Sequence, residues 1–428
     1  MNKFFEISKK SSVSNARLGT INTSHGKINT PAFIFCGTKA TVKSILPQQL
    51  YSANTQVILS NTYHLMIQPG PEIIAKEGGL QSFTQWNGPM MTDSGGYQIF
   101  SLGHGSVSQE IKGSNNNIKK KSLIKITEEG AYFRNYLNGD KVYLSPEKSI
   151  DLQRYFGADL IFVLDECTPF NVSKKYTENS MYLSHRWAKR CLSSFQSPLD
   201  QYQSNFGSSG AQYLYGIIQG GIYEDLRKIA CEETCSQDFD GLAIGGSLGG
   251  NKEQMYEIFS YCENYINKSK PVHILGIGGI DDILHGVSCG YDTFDCVSPT
   301  RIARHGIMLS KSKIKGLNLN NSKFKDDHSS IDEKCNLTEI NKFTKSYIHH
   351  LFKSNEILGM VILSIYNIWF MNNFFEEIRE SIKNDKFEII FNYLTKVDEK
   401  NYTSFRGNFS IKENEVEETF EPELRIYN

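Results

Sequence analysis

The sequence predicts an α/β fold: a (β/α)8 TIM barrel with inserted loops and a C-terminal helical subregion. Three observations lead there. Eight short apolar runs recur along the 428 residues, several without polar alternation, as in strands buried on both faces of a parallel sheet. Segments with helical apolar spacing separate many of them. Polar or glycine-rich residues close the runs at their C-terminal ends: Asp93, Asp165, Gln219, Gly245 and Gly246, Gly278 and Gly279, and Arg301. In a closed barrel those ends meet at one mouth, where active sites are built. A doubly wound open sheet would gather them in one crevice, and eight runs favour the barrel.

In chain order the expected strands are TPAFIFCG (30–37), VILSNTYHL (57–65), PMMTDS (89–94), DLIFVLDE (159–166), YLYGIIQ (213–219), GLAIGG (241–246), HILGIG (273–278) and TFDCV (293–297). A helix is expected over 145–156, with Ser145 as N-cap and Pro146 at its first position. Others are expected over 223–235, 252–265 and 280–289. Residues 104–125, rich in Gly, Ser, Asn and Lys, read as an inserted loop. Its run Lys119, Lys120, Lys121 is either a solvated face or an RNA contact. Residues 197–210 read as a second polar loop. A Lys-rich stretch (311–325) then leads to a long helical region (341–383). The barrel unit is expected over 1–400, and the glutamate-rich tail 401–428 is expected to be loosely ordered.

Composition narrows the partners. Hydrophobic residues are 39% and charged residues 22%, ordinary for a soluble globular chain. The net charge of −1 supplies no bulk positive field, so any RNA-binding surface must be local. Nine cysteines lie without paired spacing, which favours reduced thiols over a disulfide framework. The N-terminal MNKFFEISKKSSVS has no apolar core of a signal peptide, and no stretch reads as long and apolar enough to span a bilayer. A cytoplasmic protein is the expectation. There is no phosphate-binding P-loop, and the Gly-Gly pairs do not form a dinucleotide fingerprint.

The chemistry concentrates in YDTFDCVSPTRIARHG (291–306). Asp295 sits in an apolar strand that Pro299 terminates, and Arg301 and Arg304 are expected in the loop beyond, with Thr300 and Gly306. A carboxylate on a rigid strand beside two cations suits attack on a sugar carbon while phosphates are held. A lone Asp in an apolar run is also, commonly, a paired structural acid.

Five strings carry a resemblance: MTDSGGYQIFSLG (91–103), LDECTPF (164–170), GIIQGG (216–221), AIGG (243–246) and FDCVSPTRIARHG (294–306). In this order and spacing the chain resembles the tRNA-guanine transglycosylases, base-exchange enzymes of queuosine modification built on a (β/α)8 barrel. The resemblance implies that Asp295 is the nucleophile and Asp93 the general acid/base. It implies base binding by Ser94, Gly95, Gly96, Tyr97, Asp165, Gln219 and Gly246, with Tyr97 stacking on a flipped-out base. It assigns RNA contact to Gly276, Ile277, Gly278, Gly279, Ile280, Asp281 and Asp282, and to Thr300, Arg301, Ile302, Ala303 and Arg304. The implied partners are tRNAs with a GUN anticodon, a 7-deazaguanine base and a second copy of the chain.

The chain departs from the family in one place that bears on metal. The family's structural zinc is held by Cys-x-Cys-x-x-Cys and a later His. Cys335 matches the first cysteine, but Leu337, Ile340 and Tyr366 stand at the other positions. Leu and Ile cannot ligate zinc, so no metal and no cofactor are expected. Gly249 resembles members that accept the large base queuine, and Cys167 resembles members that use 7-aminomethyl-7-deazaguanine. Two other readings remain at this level: a non-catalytic tRNA-binding subunit, and a sugar hydrolase using Asp93 and Asp295 as its carboxylate pair.

Overall fold

The computed structural model describes residues 3–98, 123–170, 172–197, 211–311 and 316–395. The chain opens with an antiparallel sheet, β1 (Phe5–Lys10), β2 (Arg17–Thr23) and β3 (Gly26–Thr30), for which the sequence reading made no provision. The barrel begins with β4 (Ala32–Cys36), β5 (Ile58–Ser60) and β6 (Met90–Thr92). A second antiparallel sheet follows, β7 (Leu123–Ile126), β8 (Ala131–Arg134) and β9 (Lys141–Leu144). The barrel resumes with β10 (Leu160–Phe162), β11 (Tyr213–Ile218), β12 (Gly241–Ile244), β13 (Val272–Ile274) and β14 (Thr293–Cys296). A small ribbon of β15 (Ile307–Met308) and β16 (Leu317–Asn318) comes after it.

All neighbouring barrel strands pair in parallel, and β14 closes on β4 in the register Thr293 to Ala32 through Cys296 to Phe35. Each of the eight expected runs is a barrel strand. The helices at Pro146–Phe156, Glu224–Ser236, Lys252–Tyr265 and Ile280–Ser288 lie where expected, and the Ser145 hydroxyl accepts from the Lys148 amide as the N-cap.

Three expectations need correction. The run 57–65 is a strand only to Ser60, because the Asn61 side chain accepts the His64 amide and starts a helix, Thr62–Ile67. The segment carrying Arg301 is a short helix, Ser298–Ala303, with Pro299 in its first turn, rather than a loop. The region 341–383 is three helices, Thr338–Asn341, Lys345–Lys353 and Ile357–Lys383. Thr344 caps the second of these, and Asn355, at φ 56°, breaks the chain before the third.

Ile357–Lys383 also corrects the membrane expectation, since by length and composition it is apolar enough to cross a bilayer. In the fold, 67% of its most apolar window is buried. It packs on β4, on the helix Ser298–Ala303 and on the C-terminal helices, so it is apolar on most faces for the reason that core helices are. Of the insert 104–125, residues 123–125 start β7 and the rest lies outside the described residues, as do 198–210 and the tail 401–428.

Polar side chains from the outer helices fix the barrel's C-terminal ends. Gln153 bonds both the amide and the carbonyl of Phe162 (2.9 and 2.8 Å) and accepts from Thr92, while Ser149 donates to the Ser94 carbonyl (2.8 Å). The buried Arg227 donates to the carbonyls of Gly221, Ile218, Gly245 and Ser247. That guanidinium ties the exit of β11 to the exit of β12 and so fixes where Gln219 and Gly246 stand.

Candidate active site

The strand ends surround a cavity of about 370 Å³. Asp93, Ser94, Tyr97, Asp165, Gly246, Gly276, Asp295 and Arg301 all line it, with apolar walls from Phe162, Ile217 and Leu275. Residues far apart along the chain are thus brought to one place by the closure of the barrel.

Asp295 points from β14 into this space. Its Oδ1 accepts from the Gly276 amide (2.9 Å) and lies 3.1 Å from Nε2 of the fully buried His273. His273 Nδ1 is 3.0 Å from the Thr293 hydroxyl. A carboxylate oxygen accepts, so Nε2 carries the proton and Nδ1 takes the Thr293 hydrogen. Oδ1 is therefore held by two donors. Among the described residues Oδ2 meets only the Cys36 thiol at 3.5 Å, which burial, then the Asp295 charge, pushes well up and keeps protonated. Oδ2 is the less engaged oxygen and the one available to attack.

Asp93 follows β6. Its Oδ1 accepts the Thr62 amide (2.9 Å) and its Oδ2 accepts from the Asn61 amide group. Burial pushes its carboxyl up to about 7, the Thr62 hydrogen bond pulls it down, and the Asp295 charge adds to the rise. A carboxyl titrating near neutrality can both give and take a proton. Asp165 follows β10, and burial pushes it up to about 6 against the hydrogen bonds from Gln219 and Ser94. Gln219 gives Nε2 to Asp165, and its buried Oε1 has no partner among the described residues. An unpaired amide beside a carboxyl is a ready reader of a base edge.

Two glycines are dictated by this crowding. A Cβ on Gly96 would stand 2.4 Å from Asp165 Oδ1, and one on Gly246, at φ +76°, would stand 2.2 Å from Gln219 Oε1. Gly95 has φ +87° in the same turn.

The two expected RNA-contacting segments differ from the pocket residues in exposure. Ile277, Asp281, Asp282, Thr300, Ile302 and Ala303 are buried, and Asp281 and Asp282 share Lys252 and Tyr256. Gly278 and Gly279 lead into the helix that Ile280 begins. Arg301 reaches the cavity, and Arg304 donates back to the Thr300 carbonyl (2.7 Å). Gly249 does not line the cavity: at φ +101° its Cβ would meet Gln254 at 2.7 Å, so the turn requires glycine there. Asn251 is used as the N-cap of Lys252–Tyr265. Cys167, by contrast, does line the cavity.

Sequence reasoning missed His273, Cys36, Asn61 and His64. His273 is a polar side chain between Val272 and Ile274 in the short strand β13, a signal that was present. The capping role of Asn61 in N-T-Y-H was a second.

The residues at the family's zinc positions do not fit a metal. Cys335, Leu337, Ile340 and Tyr366 are all buried, and the Tyr366 hydroxyl donates to Asp332 (2.8 Å). Nδ1 of the nearby His349 is 2.7 Å from the Leu319 carbonyl. One thiol with two aliphatic side chains and an engaged phenol does not make a tetrahedral site.

The family model described as Queuine tRNA-ribosyltransferase matches residues 11–400. The chain belongs to this family. Proteins named queuine tRNA-ribosyltransferase from Roseiflexus sp. (strain RS-1), Macrococcus caseolyticus (strain JCSC5402) and Thermoanaerobacter sp. (strain X514) are 39%, 40% and 41% identical to it. These matches cover 90%, 89% and 89% of the chain and 96%, 93% and 94% of the relatives. The family match spans every barrel strand and the whole cavity lining.

Proposed function

We propose that this chain is a tRNA-guanine transglycosylase that replaces guanine at the wobble position of GUN-anticodon tRNAs (Asp, Asn, His, Tyr) by a 7-deazaguanine. The observation that carries the reading is the pair Asp93 and Asp295 facing one cavity, the first titrating near 7 and the second with one oxygen pinned and one open.

Asp295 Oδ2 attacks C1′ of the target nucleoside as the bond to guanine N9 breaks. Protonated Asp93 supplies the proton that the departing guanine needs. The RNA is then held as a glycosyl ester on Asp295. The incoming base gives its N9 proton to Asp93, and N9 attacks C1′ as the ester bond breaks. Asp93 ends as it began. Asp165, Gln219 and Gly246 read the base edge, Tyr97 stacks on it, and Ser94, Gly95 and Gly96 let the backbone approach. The segments 276–282 and 300–304 serve the RNA chain, with Arg301 at the cavity.

A non-catalytic tRNA-binding subunit would have no use for three carboxyl groups lining one cavity, Asp93, Asp165 and Asp295, with Gln219 bonded to Asp165 behind it. A sugar hydrolase would have no use for the amide and carboxyl pair at the base edge. The test is a denaturing gel of protein mixed with GUN-anticodon tRNA. A band of protein carrying RNA, absent for Asp295→Asn, is expected; no such band under any salt condition would refute the covalent route.

The base is a 7-deazaguanine, and 7-aminomethyl-7-deazaguanine and queuine are both proposed substrates. Failure of queuine to enter tRNA when the smaller base does would remove the larger one. We propose a metal-free C-terminal region in which Leu337, Ile340 and Tyr366 pack in place of ligands. Chelation should then leave the unfolding temperature unchanged, and a drop would show a bound metal and refute this. A homodimer is proposed through the face of Phe343, Tyr347 and His350, whose rings stack at 5.6 and 6.5 Å with Tyr347 exposed. Sedimentation of Tyr347→Ala, expected to shift toward monomer, tests it.

A further inference from the structure

The segment that leaves β10 is gripped from outside the barrel by one helix. Asp165 and Cys167 line the cavity; Glu166, between them, does not line it and is buried. The partners of Glu166 all come from the helix Lys174–Gln196. The Ser184 hydroxyl accepts the Glu166 amide (3.0 Å), and the Ser180 hydroxyl donates to the Glu166 carbonyl (3.2 Å). The Tyr176 hydroxyl donates to Glu166 Oε1 (2.7 Å). Further along the helix, Cys191 Sγ accepts the Leu164 amide (3.3 Å). The spacing i, i+4, i+8, i+15 puts these four side chains on one face, within about 80° of the helix circumference. Ser180, Ser184 and Cys191 are buried, so this face gives up water for its bonds to the β10 exit. Packing alone would be served by apolar residues there, and buried hydroxyls cost free energy unless they are bonded.

Tyr176 differs from the two serines. It stands in the first turn of the helix, is 39% exposed, and has its amide capped by the Ser173 hydroxyl (3.2 Å). Burial of its phenol, then Glu166, pushes it up, so the hydroxyl stays a donor. Among the described residues that hydroxyl is the one side-chain partner of the Glu166 carboxyl. The helix itself is anchored elsewhere, by the buried Met181, Trp187 and Cys191. The Tyr176 hydroxyl therefore does more for Glu166 than for the helix that carries it.

We infer that Glu166 and Tyr176 are positioning residues for base exchange: their bond, with those from Ser180 and Ser184, locks the segment that aims Asp165 and Cys167 into the cavity. This rests on the transglycosylase reading. A group that reads a base edge works best when it is held near its working geometry before the base arrives. Without the Tyr176 bond the Glu166 carboxyl is left loose beside Asp165, and both neighbours gain freedom to turn. A free base is held by the pocket alone, whereas tRNA is also held along its chain, so the loss falls on the base.

The experiment is steady-state exchange with radiolabelled guanine and GUN-anticodon tRNA, together with tRNA affinity and urea unfolding. It is run for wild type, Tyr176→Phe, Glu166→Ala, Glu166→Gln and the double variant Tyr176→Phe with Glu166→Ala. Tyr176→Phe should raise KM for guanine about fivefold and leave Kd for tRNA within about twofold. Glu166→Ala should raise KM for guanine about tenfold, and the double variant should be no worse, because both changes remove one bond. Glu166→Gln, whose amide oxygen can still accept from Tyr176, should recover most of the loss. An unchanged KM for guanine in Tyr176→Phe overturns the inference, even if urea stability falls, because the face would then serve packing only. Losses in the two single variants that multiply in the double overturn it too. If wild type exchanges no guanine, the activity reading fails on its own. Equilibrium binding of labelled guanine then decides the positioning role: weaker binding by Tyr176→Phe than by wild type keeps it, and equal binding overturns it.

Discussion

The two ends of the barrel treat buried carboxylates in opposite ways. At the N-terminal end, Asp292 receives Nε and Nη2 of Arg17 and the Val272 amide (2.8 Å). Asp159 there meets His25 (2.8 Å), Gln81 (3.2 Å) and the Met90 amide (2.9 Å). Both acids are filled with partners, and neither lines the cavity at the other end. They fasten the N-terminal sheet and the strand starts together. At the C-terminal end, Asp93, Asp165 and Asp295 face a cavity, and Asp295 keeps one oxygen nearly free. The same residue type is sealed among partners at one end and lines an accessible cavity at the other. What differs is that the C-terminal acids line a cavity, and that Asp295 among them keeps one oxygen with only a weak thiol neighbour among the described residues.

That contrast can be broken by substitution. The largest effect at the C-terminal end apart from substitution of Asp295 should come from Asp93→Asn, which should lower guanine exchange about 10²- to 10⁴-fold while leaving stability to urea unchanged or higher. Asp292→Ala should do the reverse. It leaves Arg17 buried without its carboxylate and should cost about 3–5 kcal/mol in urea unfolding, with exchange per folded molecule little altered. Equal losses of stability in the two variants would erase the distinction.

Smaller effects sharpen it. His273→Phe removes one donor from Asp295 Oδ1 and should lower kcat roughly ten- to a hundredfold without changing KM for tRNA. His273→Gln should recover part of this, because it can still present an N–H; no difference between the two would make His273 a packing residue only. Smaller still is the pH effect on stability. The folded-state values of Asp93 and Asp165 lie above their ordinary range, at about 7 and about 6. Stability from their protonated forms is full below the ordinary carboxylate range and is lost as pH rises through those two values. Asp93→Asn should therefore gain on wild type between about pH 5 and pH 8 in urea unfolding, and a constant difference would contradict the raised value. Formation of the covalent adduct, which needs protonated Asp93, should slow above about 7.

The barrel and the acids at its mouth were legible in the sequence because both follow from short-range pattern. A strand buried on both faces must be an apolar run, and the residue ending it must be polar if it faces a site. The rest needed long-range pairing. Nothing local distinguishes Asp292, filled by Arg17 from the other end of the chain, from Asp295 a few residues later. The β7–β9 sheet was hidden because its strands are half exposed and lack an apolar run. The N-terminal sheet was overlooked although LGTINT and GKINT alternate in burial as a half-exposed sheet does.

The central claim is that Asp295 carries the RNA during base exchange. The direct test is entry of radiolabelled guanine into unmodified GUN-anticodon tRNA, with wild type and with Asp295→Ala. Label should enter with wild type and fall by roughly 10⁴-fold or more with the variant. Comparable label with both would place the nucleophile elsewhere, and none with wild type would remove the exchange reading altogether.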